Sequence, residues 1–109
     1  MTILDRILPD VRRELDAARE VMPLDELKRR AADRPVPRDF AGALTGHGFS
    51  LIAEIKRRSP SMGDMRAENV AAAAEAYEAE PLVRAVSVLT NTTHFGMDMD
   101  DLRRVAATS

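Results

Sequence analysis

Along the N-terminal stretch, Leu4, Ile7, Leu8, Val11, Leu15, Ala18 and Met22 recur at steps of three and four. That spacing gathers them on one face of a helix. Asp10, Arg12, Arg13, Asp16, Arg19 and Glu20 fall mostly on the other face. Pro9 interrupts the pattern, because it lacks an N–H and disfavours a helical Leu8. The sequence therefore predicts a kink at Pro9, or a helix that properly begins there. Pro23 suits the first turn of a second short helix carrying Leu24, Leu27 and Ala31. The stretch Asp33–Ser50, with Pro35, Pro37, Gly42, Gly46 and Gly48, reads as a connector that Phe40, Ala43 and Leu44 could anchor to a core.

After the connector the period changes. Ser50-Leu51-Ile52-Ala53-Glu54-Ile55-Lys56 is a short apolar run with charges only near its end, the pattern of a buried parallel strand whose tip reaches a functional face. Arg57 to Met65 reads as a polar loop with Pro60 and Gly63. A helix is expected next, with Asn69 as its cap and an alanine-rich body from Val70 to Tyr77. Val83 to Thr90 is a second β-branched run. A loop with Asn91, Thr92, Thr93 and Gly96 then leads to a last helix, from about Asp98 to Ala107, for which Asp98 and Asp101 form a helix start.

The order is thus helix, helix, strand, helix, strand, helix. Strands alternating with helices imply parallel pairing and right-handed crossovers. The boundaries predict a helical extension and linker over 1–49 and two strand–helix units over 50–109. Two parallel strands cannot bury both faces of a sheet. With the last residues reading Ala-Ala-Thr-Ser and no third strand, the fold looks unfinished.

Composition narrows the chemistry. Of the 109 residues, 45% are apolar and 31% charged, and the net charge is −2, a globular balance with no basic field for nucleic acid. Without cysteine there are no disulfides or thiolate–metal sites, and with only His47 and His94 a histidine metal centre is not expected. No apolar run approaches the roughly 18 residues of a membrane span, and the N-terminus lacks the apolar stretch of a secretory signal. Cytoplasmic residence is the default expectation.

Chemistry concentrates in Ile52-Ala53-Glu54-Ile55-Lys56-Arg57-Arg58-Ser59-Pro60-Ser61-Met62-Gly63. Glu54 and Lys56 are two apart on a strand and so share a side. Such a pair is a structural ion pair or a site that meets a ligand. Arg57 and Arg58 read as ordinary solvated charges, although with Lys56 they could also face an anion. His94 reads as an exposed loop histidine.

The segment I-A-E-x-K-R-x-S-P-S-x-G closely resembles the first barrel strand and loop of indole-3-glycerol phosphate synthases. Ser87-Val88-Leu89-Thr90 and His94-Phe95-Gly96 are similar to that family's second strand and its loop, and Leu102-Arg103-Arg104-Val105 to its second helix. Ile3 to Ile7, Pro23 to Leu27 and Pro37 to Phe40 resemble the helices and linker that precede the barrel. The resemblance implies an α/β fold, the N-terminal part of a TIM (β/α)8 barrel with two extra helices in front. It implies a cofactor-free lyase of tryptophan biosynthesis that closes the indole ring of 1-(2-carboxyphenylamino)-1-deoxyribulose 5-phosphate with loss of carbon dioxide and water. Glu54 and Lys56 would be catalytic; Ser59, Pro60 and Phe95 would bind substrate. For Phe95 the other reading is a core or loop anchor. Met62 stands where the family often has lysine, and Asn91 and Met97 depart from its second-strand loop.

The family's general-acid lysine on the third strand, its glutamate on the fifth and its phosphate pocket fall outside these residues, so the isolated chain is expected to be inactive. Met62, Asn91 and Met97 also allow a diverged paralogue acting on another phosphorylated substrate. A different class of reading is a non-catalytic partial barrel, burying open strand edges by self-association or on a partner; a defined oligomer would be its sign. A membrane-surface role for the first helix is disfavoured by its mixed charge.

Overall fold

The computed structural model describes residues 1–46, 48–59, 63–64 and 70–108. His47, Pro60, Met62 and Asn69 lie outside the described residues, and so do the readings that rest on them. The chain divides into two units, Met1–Arg38 and Asp39–Ser109.

The first unit holds α1 (Ile3–Val21) and α2 (Leu24–Ala32). Thr2 starts α1 through a capping box: its Oγ1 accepts the Asp5 N–H at 3.2 Å, and its own N–H donates to Asp5 Oδ2 at 2.9 Å. Contrary to a start at Pro9, α1 runs through that residue. The box fixes the first turn ahead of Pro9, whose missing N–H removes one bond, to the Asp5 carbonyl. Pro23 sits at the N-cap of α2, where its carbonyl accepts the Leu27 N–H at 3.0 Å. Asp25 and Glu26 open α2 and Arg29 and Arg30 close it, the order the helix dipole favours. No residue of either helix is buried, and Leu4, Leu8, Val11 and Leu15 are all exposed.

The second unit begins with α3 (Phe40–Leu44), capped by Asp39, whose Oδ1 accepts the Gly42 N–H at 2.9 Å. The connector is thus partly helical. Ala43 and Leu44 are half-buried as expected, but Phe40 is 61% exposed and anchors nothing. α3 lies against β4 (Val83–Val88), which pairs in parallel with β1 (Leu51–Ile55). Leu51 faces Val83, but Ile52 faces Ala85, and Ala53, Glu54 and Ile55 then face Val86, Ser87 and Val88. Arg84 is the residue passed over.

Side chains alternate across this pair. Ile55, Val86 and Val88 join Val70 and Ala74 of α4 (Val70–Ala79), Met97 and Val105 in the core, with Ala73 and Tyr77 at its edge. Met97 is its most enclosed large side chain at 1% exposure. The other face of the strands carries Glu54 and Ile52, the latter 55% exposed. α4 packs on β1 and β4, and on α6 (Met99–Thr108). The expected strand–helix–strand–helix order is present, with parallel pairing.

Two short elements are additional. Arg58–Ser59 (β2) and Gly63–Asp64 (β3) pair antiparallel within what the sequence presents as a loop. Thr92–Phe95 forms α5, capped by the Asn91 side chain and ended by Gly96 at φ 72°. A β-carbon at Gly96 would also stand 3.2 Å from Arg57 Cβ, so both the backbone angle and the space favour glycine.

Candidate active site

Two of the candidate site residues stand where β1 ends. Glu54 and Lys56 emerge on the same side, and Lys56 Nζ lies 3.5 Å from Glu54 Oε1. Both heads reach solvent, Glu54 with 47% of its side chain exposed. An ion pair this open stabilises the fold by at most about 1 kcal/mol. Its groups therefore stay available to a ligand.

Arg57 departs from the solvated charge its sequence context suggests. Its Nη1 and Nη2 donate to Asp101 Oδ2 and Oδ1 at 2.8 and 3.0 Å, a two-pronged pairing, and Nη1 also donates to the Gly96 carbonyl at 3.2 Å. The Asp101 side chain is only 6% exposed, against 34% for Arg57. The hydrogen bonds to Asp101 raise the pKa of Arg57 against the cost of burial. The same bonds hold the Asp101 carboxyl below the ordinary carboxylate range; the Asp98 N–H and the charges of Arg57 and Arg104 add to this, while burial opposes it.

Asp101 also belongs to the start of α6. Its N–H donates to Asp98 Oδ1 at 3.1 Å, and its Oδ2 accepts the Asp98 N–H at 3.0 Å. This is the helix start the Asp98–Asp101 spacing suggests, made reciprocal. The partnership with Arg57 is absent from that local pattern, since the two residues are 44 positions apart.

Around this pairing the structure gathers other site candidates. The Arg57 N–H donates to the Phe95 carbonyl at 3.0 Å, tying the β1 exit to the end of α5. Phe95 is half-buried. Arg58 is half-buried rather than solvated and donates from Nη2 to the Thr92 carbonyl. Ser59 is buried in β2, which lies against α5. Ser59 and Phe95 thus belong to adjoining elements, whereas Pro60 is outside the described residues. His94 is half-buried in α5, not exposed on a loop, and its N–H donates to Asn91 Oδ1 at 2.8 Å. Met97, a departure from the resembled loop, is the core plug described above.

A family model described as "Indole-3-glycerol phosphate synthase" matches residues 4–109. The indole-3-glycerol phosphate synthase of Saccharopolyspora erythraea is 39% identical over 107 residues, which are 98% of this chain and 40% of the relative. That of Mycolicibacterium gilvum is 43% identical over 97% of this chain and 39% of the relative. That of Streptomyces griseus is 43% identical over 98% of this chain and 40% of the relative. The chain spans about 40% of the length of these curated relatives. A match over nearly every residue, running from α1 through the β1 exit to α6, means that the chain belongs to the indole-3-glycerol phosphate synthase family.

Proposed function

We propose that residues 50–109 supply the first two strand–helix units of an indole-3-glycerol phosphate synthase barrel, and residues 1–49 its helical extension and linker. The reaction is the decarboxylating ring closure of 1-(2-carboxyphenylamino)-1-deoxyribulose 5-phosphate in the cytoplasm. The observation that carries this reading is the placement of Glu54 and Lys56. They stand together at the C-terminal end of a parallel strand, on the face opposite α4 and α6, where barrel enzymes assemble their chemistry.

Ring closure joins an aromatic carbon to the substrate's carbonyl carbon. The carbonyl oxygen gains negative charge, takes up one proton to become a hydroxyl and a second to leave as water. The carboxylate departs as carbon dioxide, and the methylene carbon beside the nitrogen gives up a proton as the new ring double bond forms. The Lys56 ammonium stabilises the substrate's anionic groups or the developing charge. Glu54 orients the hydroxyl groups and serves in proton transfer. Their mutual distance of 3.5 Å lets Glu54 aim Lys56 without sealing it off. Ser59 and Pro60 line the pocket, and the Phe95 ring packs on the anthranilate. The family's remaining acid, base and phosphate-binding groups lie beyond this segment, so the 109-residue chain by itself turns nothing over.

The test joins residues 1–109 to the parts of the Streptomyces griseus relative outside the matched segment, kept in their own order. The folded hybrid is expected to form indoleglycerol phosphate. Lys56→Met and Glu54→Gln are each expected to lower kcat/KM by about a hundredfold or more. A folded hybrid that binds this substrate without turning it over would favour a diverged paralogue instead.

A further inference from the structure

We propose that Asp101 is a positioning residue: through Arg57 it locks the β1 exit that carries Lys56 to the turn that carries Phe95. The inference rests on the family reading above and deepens it.

One carboxylate here closes a ring through three elements. Both its oxygens hold the Arg57 guanidinium, at 2.8 and 3.0 Å. Arg57 directly follows Lys56, so its side chain and backbone fix the direction in which the strand leaves the sheet. The same residue grips the α5 end twice, through its N–H to the Phe95 carbonyl at 3.0 Å and through Nη1 to the Gly96 carbonyl at 3.2 Å. Asp101 itself is immobilised at the start of α6 by the Asp98 N–H at 3.0 Å. Glu54 and Lys56, by contrast, are held only by each other among the ion pairs of the described residues.

A plain structural ion pair would tie α6 to the sheet at any point along it. This one lands on the residue next to the proposed catalytic lysine and on the backbone of the proposed ring-stacking phenylalanine. A fork of two parallel hydrogen bonds constrains angle as well as distance, and small misplacements of reacting groups are costly to rate. The role assigned to Asp101 and Arg57 is to act through Lys56 and Phe95.

The experiment uses the same hybrid and compares Asp101→Asn, Arg57→Lys and Asp98→Ala, with kcat expressed per folded molecule. Asp101→Asn puts an amide N–H₂ opposite the guanidinium, and Arg57→Lys keeps the charge but loses the fork. Each is expected to lower kcat at least about tenfold, with KM moving less than about threefold. Asp98→Ala weakens the helix start but leaves the fork, and is expected to keep most of kcat. Native kcat in either folded fork variant overturns the proposal, and so does an equal loss in Asp98→Ala, which would make the effect one of helix stability. Should Asp101→Asn fail to fold, Arg57→Lys decides by the same criterion. No turnover in the unsubstituted folded hybrid would instead overturn the family reading on which the proposal rests.

Discussion

At the scale of single residues, charge matters here by where it is enclosed. Glu54–Lys56 is open and Arg57–Asp101 is largely closed, although nothing in the sequence marks Arg57 and Asp101 as the enclosed pair. Removing one partner of a buried pair strands the other. With the Arg57 head one-third open, the expected loss on Asp101→Asn is about 2–3 kcal/mol. The folded-state pKa of Asp101 lies below its unfolded value. Its stabilisation is therefore complete above the ordinary carboxylate range and disappears as acid pushes pH down through the folded value. The melting-temperature gap between the unsubstituted chain and Asp101→Asn is expected to be constant from neutral pH to about pH 5 and to shrink below about pH 4. A gap that stayed fixed into strong acid would show that Asp101 keeps its proton off for some other reason. Sequence reasoning finds the capping half of Asp101 because its partner Asp98 is only three positions away. It misses the Arg57 half because only the folded chain brings the two together.

At the scale of elements, periodicity carries far. The apolar runs at Leu51–Ile55 and Val83–Val88 become strands, and the alanine-rich and Asp98-led segments become helices. What escapes is short: β2, β3 and α5 contain too few residues to show a period, and α5 depends on Asn91 and Gly96 as stops. Phe40 fails as an anchor because hydrophobicity alone cannot say which side of a one-turn helix meets the sheet. Pro9 is the reverse case, a local breaker overruled by a strong start at Thr2. Proline inside a helix costs about 3 kcal/mol relative to alanine, partly offset by its stiffening of the unfolded chain. Pro9→Ala is accordingly expected to deepen the 222 nm circular dichroism band and to delay its melting. An unchanged band would mean that the first turn gains nothing from the restored Asp5 carbonyl bond.

At the scale of the whole molecule, each unit buries little. The first buries no residue of its helices, and among the described residues the apolar core of the second consists of Ile55, Val70, Ala74, Met97 and Val105. No described helix is long and apolar enough to cross a membrane. Met97 fills this small core more completely than any other large side chain, so Met97→Ala is expected to cost about 2–5 kcal/mol, a large part of what a small domain has. Tyr77, the one tyrosine of the chain, borders the cluster and reports on it. Its near-ultraviolet circular dichroism is expected to vanish at a temperature where the unsubstituted chain retains it; coincident melts would remove Met97 from its central role. The parity of the paired strands completes this picture, because it sends Ile55, Val86 and Val88 to the core and leaves Glu54 beside Ser87 on the opposite face.

That parity depends on the step between Leu51 and Ile52, where β4 passes over Arg84. β4 therefore carries one residue more than the pairing uses, and the surplus is exposed. Strands are ordinarily the segments least able to lose a residue, because every later side chain changes sides. Here deletion of Arg84 is expected to be absorbed, joining Val83 directly to Ala85 and leaving each partner from Ile52 onward in place. Deletion of Val86 would take a side chain from the core edge and pull Arg84 into the ladder. A folded, cooperatively melting Arg84 deletion beside an unfolded Val86 deletion would make this spot a natural tolerance point for shortening the chain, within a strand and not a loop.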